Sequence, residues 1–137
     1  MPPLASAQPA AAGQSDGARF AWPAPGRVLE GFAEPRSMGI SIDGKPGDPV
    51  AAAGDGRVIF SGIGPRGYGN LLIVKHEGEL LSVYAHNRAL LVREGDQVAR
   101  GQKIAEIGDS DADRPMLRFE IRREGRPVDP SRYLPAR

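Results

Sequence analysis

The sequence predicts an all-β fold in one domain, preceded by a flexible segment. Three observations carry this reading. Glycine and proline supply 31 of the 137 residues, about 23% against an ordinary ~12%, so tight turns recur along the chain. The apolar runs between those turns are short, and few stretches sustain the period of an amphipathic helix. The length fits one domain and not two complete cores.

Residues 1–19 are rich in Ala, Pro, Ser, Gln and Gly and contain one Leu and no aromatic residue. They offer too little apolar surface to offset the entropy of ordering, which makes them an expected flexible Ala/Pro/Gly-rich linker. They have neither the basic start nor the apolar centre of a signal peptide. The folded unit is expected over residues 20–137, opening at Phe20-Ala21-Trp22-Pro23, where aromatic residues first appear. Strands are expected over residues 27–32, 39–42, 56–61, 70–76, 80–87, 103–107 and 116–123. The second ends at Asp43-Gly44, the third opens at Asp55-Gly56, Pro65-Arg66-Gly67 leads into the fourth, and Glu77-Gly78 separates the fourth from the fifth. Each of these pieces supplies the positive-φ or preset-φ residues that tight turns need.

Two strands show their faces. In the last, Leu117, Phe119 and Ile121 alternate with Met116, Arg118, Glu120 and Arg122, so the first set is core and the second faces outward. In the fifth, Leu81, Val83 and Ala85 alternate with Ser82, Tyr84 and His86. If the two strands are neighbours, Tyr84, His86, Met116 and Arg118 line one surface.

Composition excludes several classes of function. Eighteen basic and 17 acidic residues give a net charge of +1, too weak a field to point to nucleic acid. Without cysteine there is no disulfide framework, thiolate metal site or cysteine nucleophile. The two histidines, His76 and His86, cannot build a multi-histidine metal site, and no apolar run approaches the ~18 residues that span a bilayer. Taken alone, His76 beside its turn reads as structural, and His86 reads as hydrogen-bonded structure or solvated surface. The glycine-rich stretch 62–70 lacks the Lys-Ser/Thr ending and following helix of a phosphate cradle, and no serine stands in a nucleophile-elbow pattern. Residues 92–105 resemble the turn-rich hairpins of barrel-sandwich folds, including biotinyl and lipoyl carriers. Lys45, in Asp43-Gly44-Lys45-Pro46, does not match a carrier's modified-lysine motif, so the segment is taken as fold-specifying turns.

Read together, Trp22-Pro23-Ala24-Pro25-Gly26, residues 47–58, Gly67-Tyr68-Gly69-Asn70, Tyr84-Ala85-His86-Asn87, Gly95-Asp96-Gln97-Val98 and Leu117-Arg118-Phe119-Glu120-Ile121-Arg122 resemble the LytM-type, lysostaphin-like zinc endopeptidase domain. The resemblance covers residues 20–135 and implies a mostly antiparallel sheet with an open groove across it, where active members cut cell-wall peptide. Those members carry a His-x-Gly-x-Asp motif for two zinc ligands, a histidine in a Tyr-x-His element, and a His-x-His in which one histidine is catalytic and the other binds zinc. Aligned on these motifs, Ser37 and Ser41 take the first two ligand positions, Met116 the catalytic histidine's and Arg118 the last ligand's. His86 alone is retained.

Catalytic zinc needs about three protein ligands and an open water position. Serine hydroxyls are poor substitutes, and arginine stays protonated and offers no lone pair. The expectation is therefore a degenerate domain with no catalytic residues, no metal site and no cofactor, similar to the NlpD/EnvC family of peptidoglycan amidase activators. That resemblance implies a periplasmic, cell-envelope location and a periplasmic N-acetylmuramoyl-L-alanine amidase as partner. A helix of the amidase would be held in the former active-site groove, lined by Ser37, Ser41, Tyr68, Tyr84, His86, Met116 and Arg118. Arg can pair bidentately with a carboxylate, while Met and Tyr pack adaptably against a helix held by spaced anchors. The alternative is a non-hydrolytic peptidoglycan-binding module.

Overall fold

A computed structural model describes residues 19–137. Ten strands form one antiparallel sheet: β1 (Val28–Glu30), β2 (Ile40–Asp43), β3 (Pro49–Ala51), β4 (Gly56–Ile63), β5 (Asn70–His76), β6 (Leu80–Leu90), β7 (Gln97–Val98), β8 (Lys103–Ile107), β9 (Met116–Arg123) and β10 (Arg126–Val128). Across the sheet the order is β1-β2-β9-β6-β5-β4-β7, with β10 on β9 and with β8 joining β3 to β6. All seven expected strands are present with ends shifted by at most three residues. β3, β7 and β10 were not expected; at two or three residues each they are too short to show alternation.

The main core lies on one face of the central strands. Phe119 stands opposite Ile40 on β2 and Tyr84 on β6, and Ile42 stands opposite Leu117. Tyr84, Phe119, Leu117, Ile121, Ile42, Leu72, Val74, Ile104 and Ile107 are all buried in this cluster. The expected apolar side of β9 is therefore correct, whereas the expected placing of Tyr84 with Arg118 is not. Tyr84 pairs with Phe119, and Ala85 takes the place opposite Arg118. The large ring is buried because its hydroxyl accepts from the Ala53 N–H (2.9 Å) and meets Ser82 Oγ (2.7 Å), which removes the penalty of burying an unpaired phenol.

The linker expectation for residues 1–18 lies outside the described residues. Arg19, placed in that linker, instead donates to the Glu77 carbonyl (2.8 Å) and lies over the Phe20 ring. The two ends of the folded unit meet: Phe20 N–H donates to the Tyr133 carbonyl, Trp22 Nε1 to the Pro135 carbonyl, and the Arg137 guanidinium sits 3.7 Å from the centre of the Trp22 ring.

Candidate functional site

The sheet's second face carries the candidate site, and its strand register arranges it in rows. One row runs Gly62, Leu71, then Ala85, Arg118 and Ser41; the next runs Phe60, Ile73, Val83 and Glu120. Directly opposed residues of an antiparallel pair share a face, so these side chains are neighbours. Leu71, Val83 and Ala85 form a small buried cluster against which Phe60, Ile73 and Tyr68 pack.

Tyr68 belongs to the turn before β5. Its ring lies over that apolar cluster, and its hydroxyl donates to Glu120 Oε2 on β9 (3.1 Å). Burial, and secondarily the Glu120 charge, pushes the Tyr68 pKa up, so the phenol stays protonated and available as a donor. The Glu120 carboxylate is 1% exposed. Arg122 donates to its Oε1 from Nε (3.1 Å) and from the terminal nitrogen (2.8 Å). Burial disfavours the Arg122 cation, but the hydrogen bonds and charge of Glu120 outweigh it and push the Arg122 pKa up. Arg118 Nε stands 3.8 Å from Glu120 Oε2, beyond hydrogen-bond reach, and is buried without an acceptor. Arg118 thus shares the Glu120 charge at a distance, but its buried Nε donor has no acceptor among the described residues.

The remaining expected site residues fall around this centre. Ser41 is buried opposite Arg118, and Met116 follows two residues away on the same face of β9, half-buried beside Asp43. Ser37 is fully buried in the turn before β2, its hydroxyl donating to the Gly39 carbonyl (2.8 Å). His86 sits at an irregular step of β6, with φ of 70°. Its backbone N–H donates to the Tyr68 carbonyl, and its Nδ1 to the Ser110 carbonyl (2.8 Å); a carbonyl only accepts, so Nδ1 carries the proton. Ser110 fastens its loop to both neighbours, accepting from the Asn70 N–H (3.0 Å) and donating to the Asn87 carbonyl (2.7 Å). Tyr84, in the opposite core, is no part of the site. Glu120 and Arg122 were missed as site residues; their sequence signal was position alone, two and four residues beyond Arg118 on one face of a strand.

A catalytic zinc does not fit these side chains. At the positions that the resemblance aligns with ligands stand a serine whose hydroxyl already bonds Gly39, a second buried serine, and a guanidinium that would repel a divalent ion. Among the described residues no three of His, Cys, Asp and Glu come together as a metal site.

Comparison with known proteins places this geometry among relatives. Residues 35–130 match peptidase family M23. A lipoprotein NlpD/LppB homologue of Pseudomonas aeruginosa is 52% identical over 137 residues, which is 98% of this chain and 46% of that protein. The murein hydrolase activator NlpD of Escherichia coli is 48% identical over 118 residues, 85% of this chain and 31% of its own length. The chain thus spans less than half of either relative. Among solved structures, a zinc-containing peptidase from Vibrio cholerae superposes with a TM-score of 0.76 at 32% identity, covering 81% of this chain and 39% of that one.

Proposed function

The chain belongs to peptidase family M23, and on that premise we propose that it is a non-catalytic activator of a periplasmic peptidoglycan amidase. Its residues 20–137 act as a degenerate LytM-type domain that holds a helix of an N-acetylmuramoyl-L-alanine amidase in the former active-site groove. The reading is carried by Arg118, which replaces a metal ligand with a cation whose Nε is buried and lacks an acceptor. A partner carboxylate or carbonyl would supply that acceptor in a charge-assisted bond. Tyr68, His86, Met116, Ser37 and Ser41 surround it as packing and hydrogen-bonding contacts. The name of the Escherichia coli relative, a murein hydrolase activator, supports the same reading.

Dye release from labelled peptidoglycan tests it with this protein alone, a purified periplasmic amidase alone, and the two mixed. The expected result is no release by this protein, basal release by the amidase, and a several-fold rise in the mixture. Chelator-sensitive release by this protein alone, with stoichiometric bound zinc, would show a working peptidase; an unchanged amidase rate would remove the activator function.

A further inference from the structure

A third row crosses the groove face, and the amidase reading leaves it unassigned. Arg57 on β4 stands opposite Lys75 on β5, Lys75 opposite Leu81 on β6, and Leu81 opposite Arg122 on β9. The apolar row of Phe60, Ile73 and Val83 separates this shelf from Arg118. Arg57 and Lys75 are exposed, and among the described residues neither makes an ion pair with a carboxylate. Like charges directly opposite each other weaken an antiparallel pair, and no direct ion pair offsets this one among the described residues. Glu120 gives no relief, since Arg122 and Tyr68 already hold its oxygens. The acids at the far edge, Glu30 and Asp43, face Arg36 and Arg114. Along the three rows themselves the cations Arg57, Lys75, Arg118 and Arg122 stand around Glu120, while Asp55, Glu77 and Glu79 line the rim of the cavity beside Arg57 and Lys75 without an ion pair to either.

We infer that this whole face, and not Arg118 alone, is a docking surface for an acidic amphipathic helix whose carboxylates bracket an apolar stripe. This deepens the amidase-activator reading and rests on it. One carboxylate meets Arg118, the apolar stripe covers the partly exposed Phe60 and Ile73, and a second carboxylate meets the shelf of Arg57, Lys75 and Arg122. Leu81 and Ala85, the β6 members of the outer rows, are four residues apart, roughly 13 Å along a strand. A helix lying along β6 covers about that distance in seven to nine residues, and positions i and i+7 or i+8 return to one helix face. The partner segment is thus expected to carry acids seven or eight residues apart with apolar residues between. The half-buried Phe60 and Ile73 of the middle row favour such a helix over a lipid surface, whose anionic headgroups offer no apolar stripe between them.

The test reverses the shelf with Arg57→Glu/Lys75→Glu in the full chain and measures stimulation of a purified periplasmic amidase on dye-labelled peptidoglycan. The expected result is unchanged circular dichroism and a rise of about tenfold or more in the concentration giving half-maximal stimulation, larger at low salt than at high. Arg57→Gln/Lys75→Gln should give a smaller rise in the same direction, and it decides the question if the reversed variant does not fold. Stimulation by the variants at the wild-type concentration would overturn the shelf while leaving Arg118 and the activator reading standing. Failure of the wild type to stimulate would overturn the activator reading and this inference with it. Sedimentation with phosphatidylglycerol vesicles that the reversal abolishes, with stimulation unchanged, would assign the cations to a membrane surface and also overturn it.

Discussion

Glu120 is the residue on which the site's charge balance turns, because a fully buried carboxylate survives only while its oxygens are paired. Arg122→Met removes both hydrogen bonds to Oε1 and is expected to cost about 3 kcal/mol in chemical denaturation, since it leaves a buried charge short of its partner. A second buried group gives a pH prediction. His76 donates from Nδ1 to the Asp55 carbonyl, and its Nε2 meets Ser82 Oγ, which in turn meets the Tyr84 hydroxyl. The Tyr84 and Ser82 hydroxyl protons both find acceptors only if Tyr84 donates to Ser82 and Ser82 donates to His76 Nε2, which requires a neutral imidazole. Burial lowers the His76 pKa below the ordinary 6.5 and pushes that of Tyr84 up to about 12. The unfolded chain then binds a proton before the folded one does, so stability is full above the unfolded value and falls as pH drops below 6.5 towards the folded value. An NMR titration of the His76 ring should show a midpoint below 6.5; a midpoint above it would contradict the proton arrangement. From sequence, His76 read correctly as structural, but its partners lie on β6 and in the loop before β4, so the chain of hydroxyls was not legible.

At the level of elements, strands long enough to alternate were legible and those made by pairing alone were not. Residues 70–76, 103–107 and 116–123 coincide with β5, β8 and β9. β3 and β10 each contain a proline, Pro49 and Pro127, and their pairing with β8 and β9 comes from tertiary contact. The face of β6 was misread because this strand is buried on both sides: Val83 and Ala85 look as apolar as Tyr84, and alternation alone does not say which set meets the core. The loop after β8 lends itself to a direct test. Ser110 Oγ joins it to the first residue of β5 and to Asn87 of β6. Ser110→Ala should therefore speed hydrogen exchange at the Asn70 amide, which loses its acceptor, and cost about 1–2 kcal/mol. Unaltered exchange at Asn70 would mean that the loop is held by other contacts.

For the whole molecule, the sheet face that carries Arg118 and the closure between the two ends of the folded unit are separable. Arg137 donates to the Ala24 and Gly26 carbonyls and stacks on Trp22, on the side of the structure built by residues 20–26 and 133–137. Arg137→Ala is expected to lower stability by about 1 kcal/mol, since solvent screens this exposed cation, without altering amidase stimulation. The Arg118 face is expected to behave oppositely. Arg118→Glu leaves Leu117, Phe119 and Ile121 in the core, gives up the 3.8 Å ion pair with Glu120, and puts an acid where a partner's acid is proposed to dock. Losing one member of a charge-assisted pair costs about 2–5 kcal/mol in binding, roughly 30-fold to several-thousand-fold in affinity. The most direct measurement is peptidoglycan release by a purified periplasmic amidase titrated with wild-type and Arg118→Glu protein, with folding of the variant verified by its melting temperature. Stimulation is expected to collapse at micromolar protein while the variant stays folded. A folded Arg118→Glu variant that stimulates at the wild-type concentration would contradict the proposal.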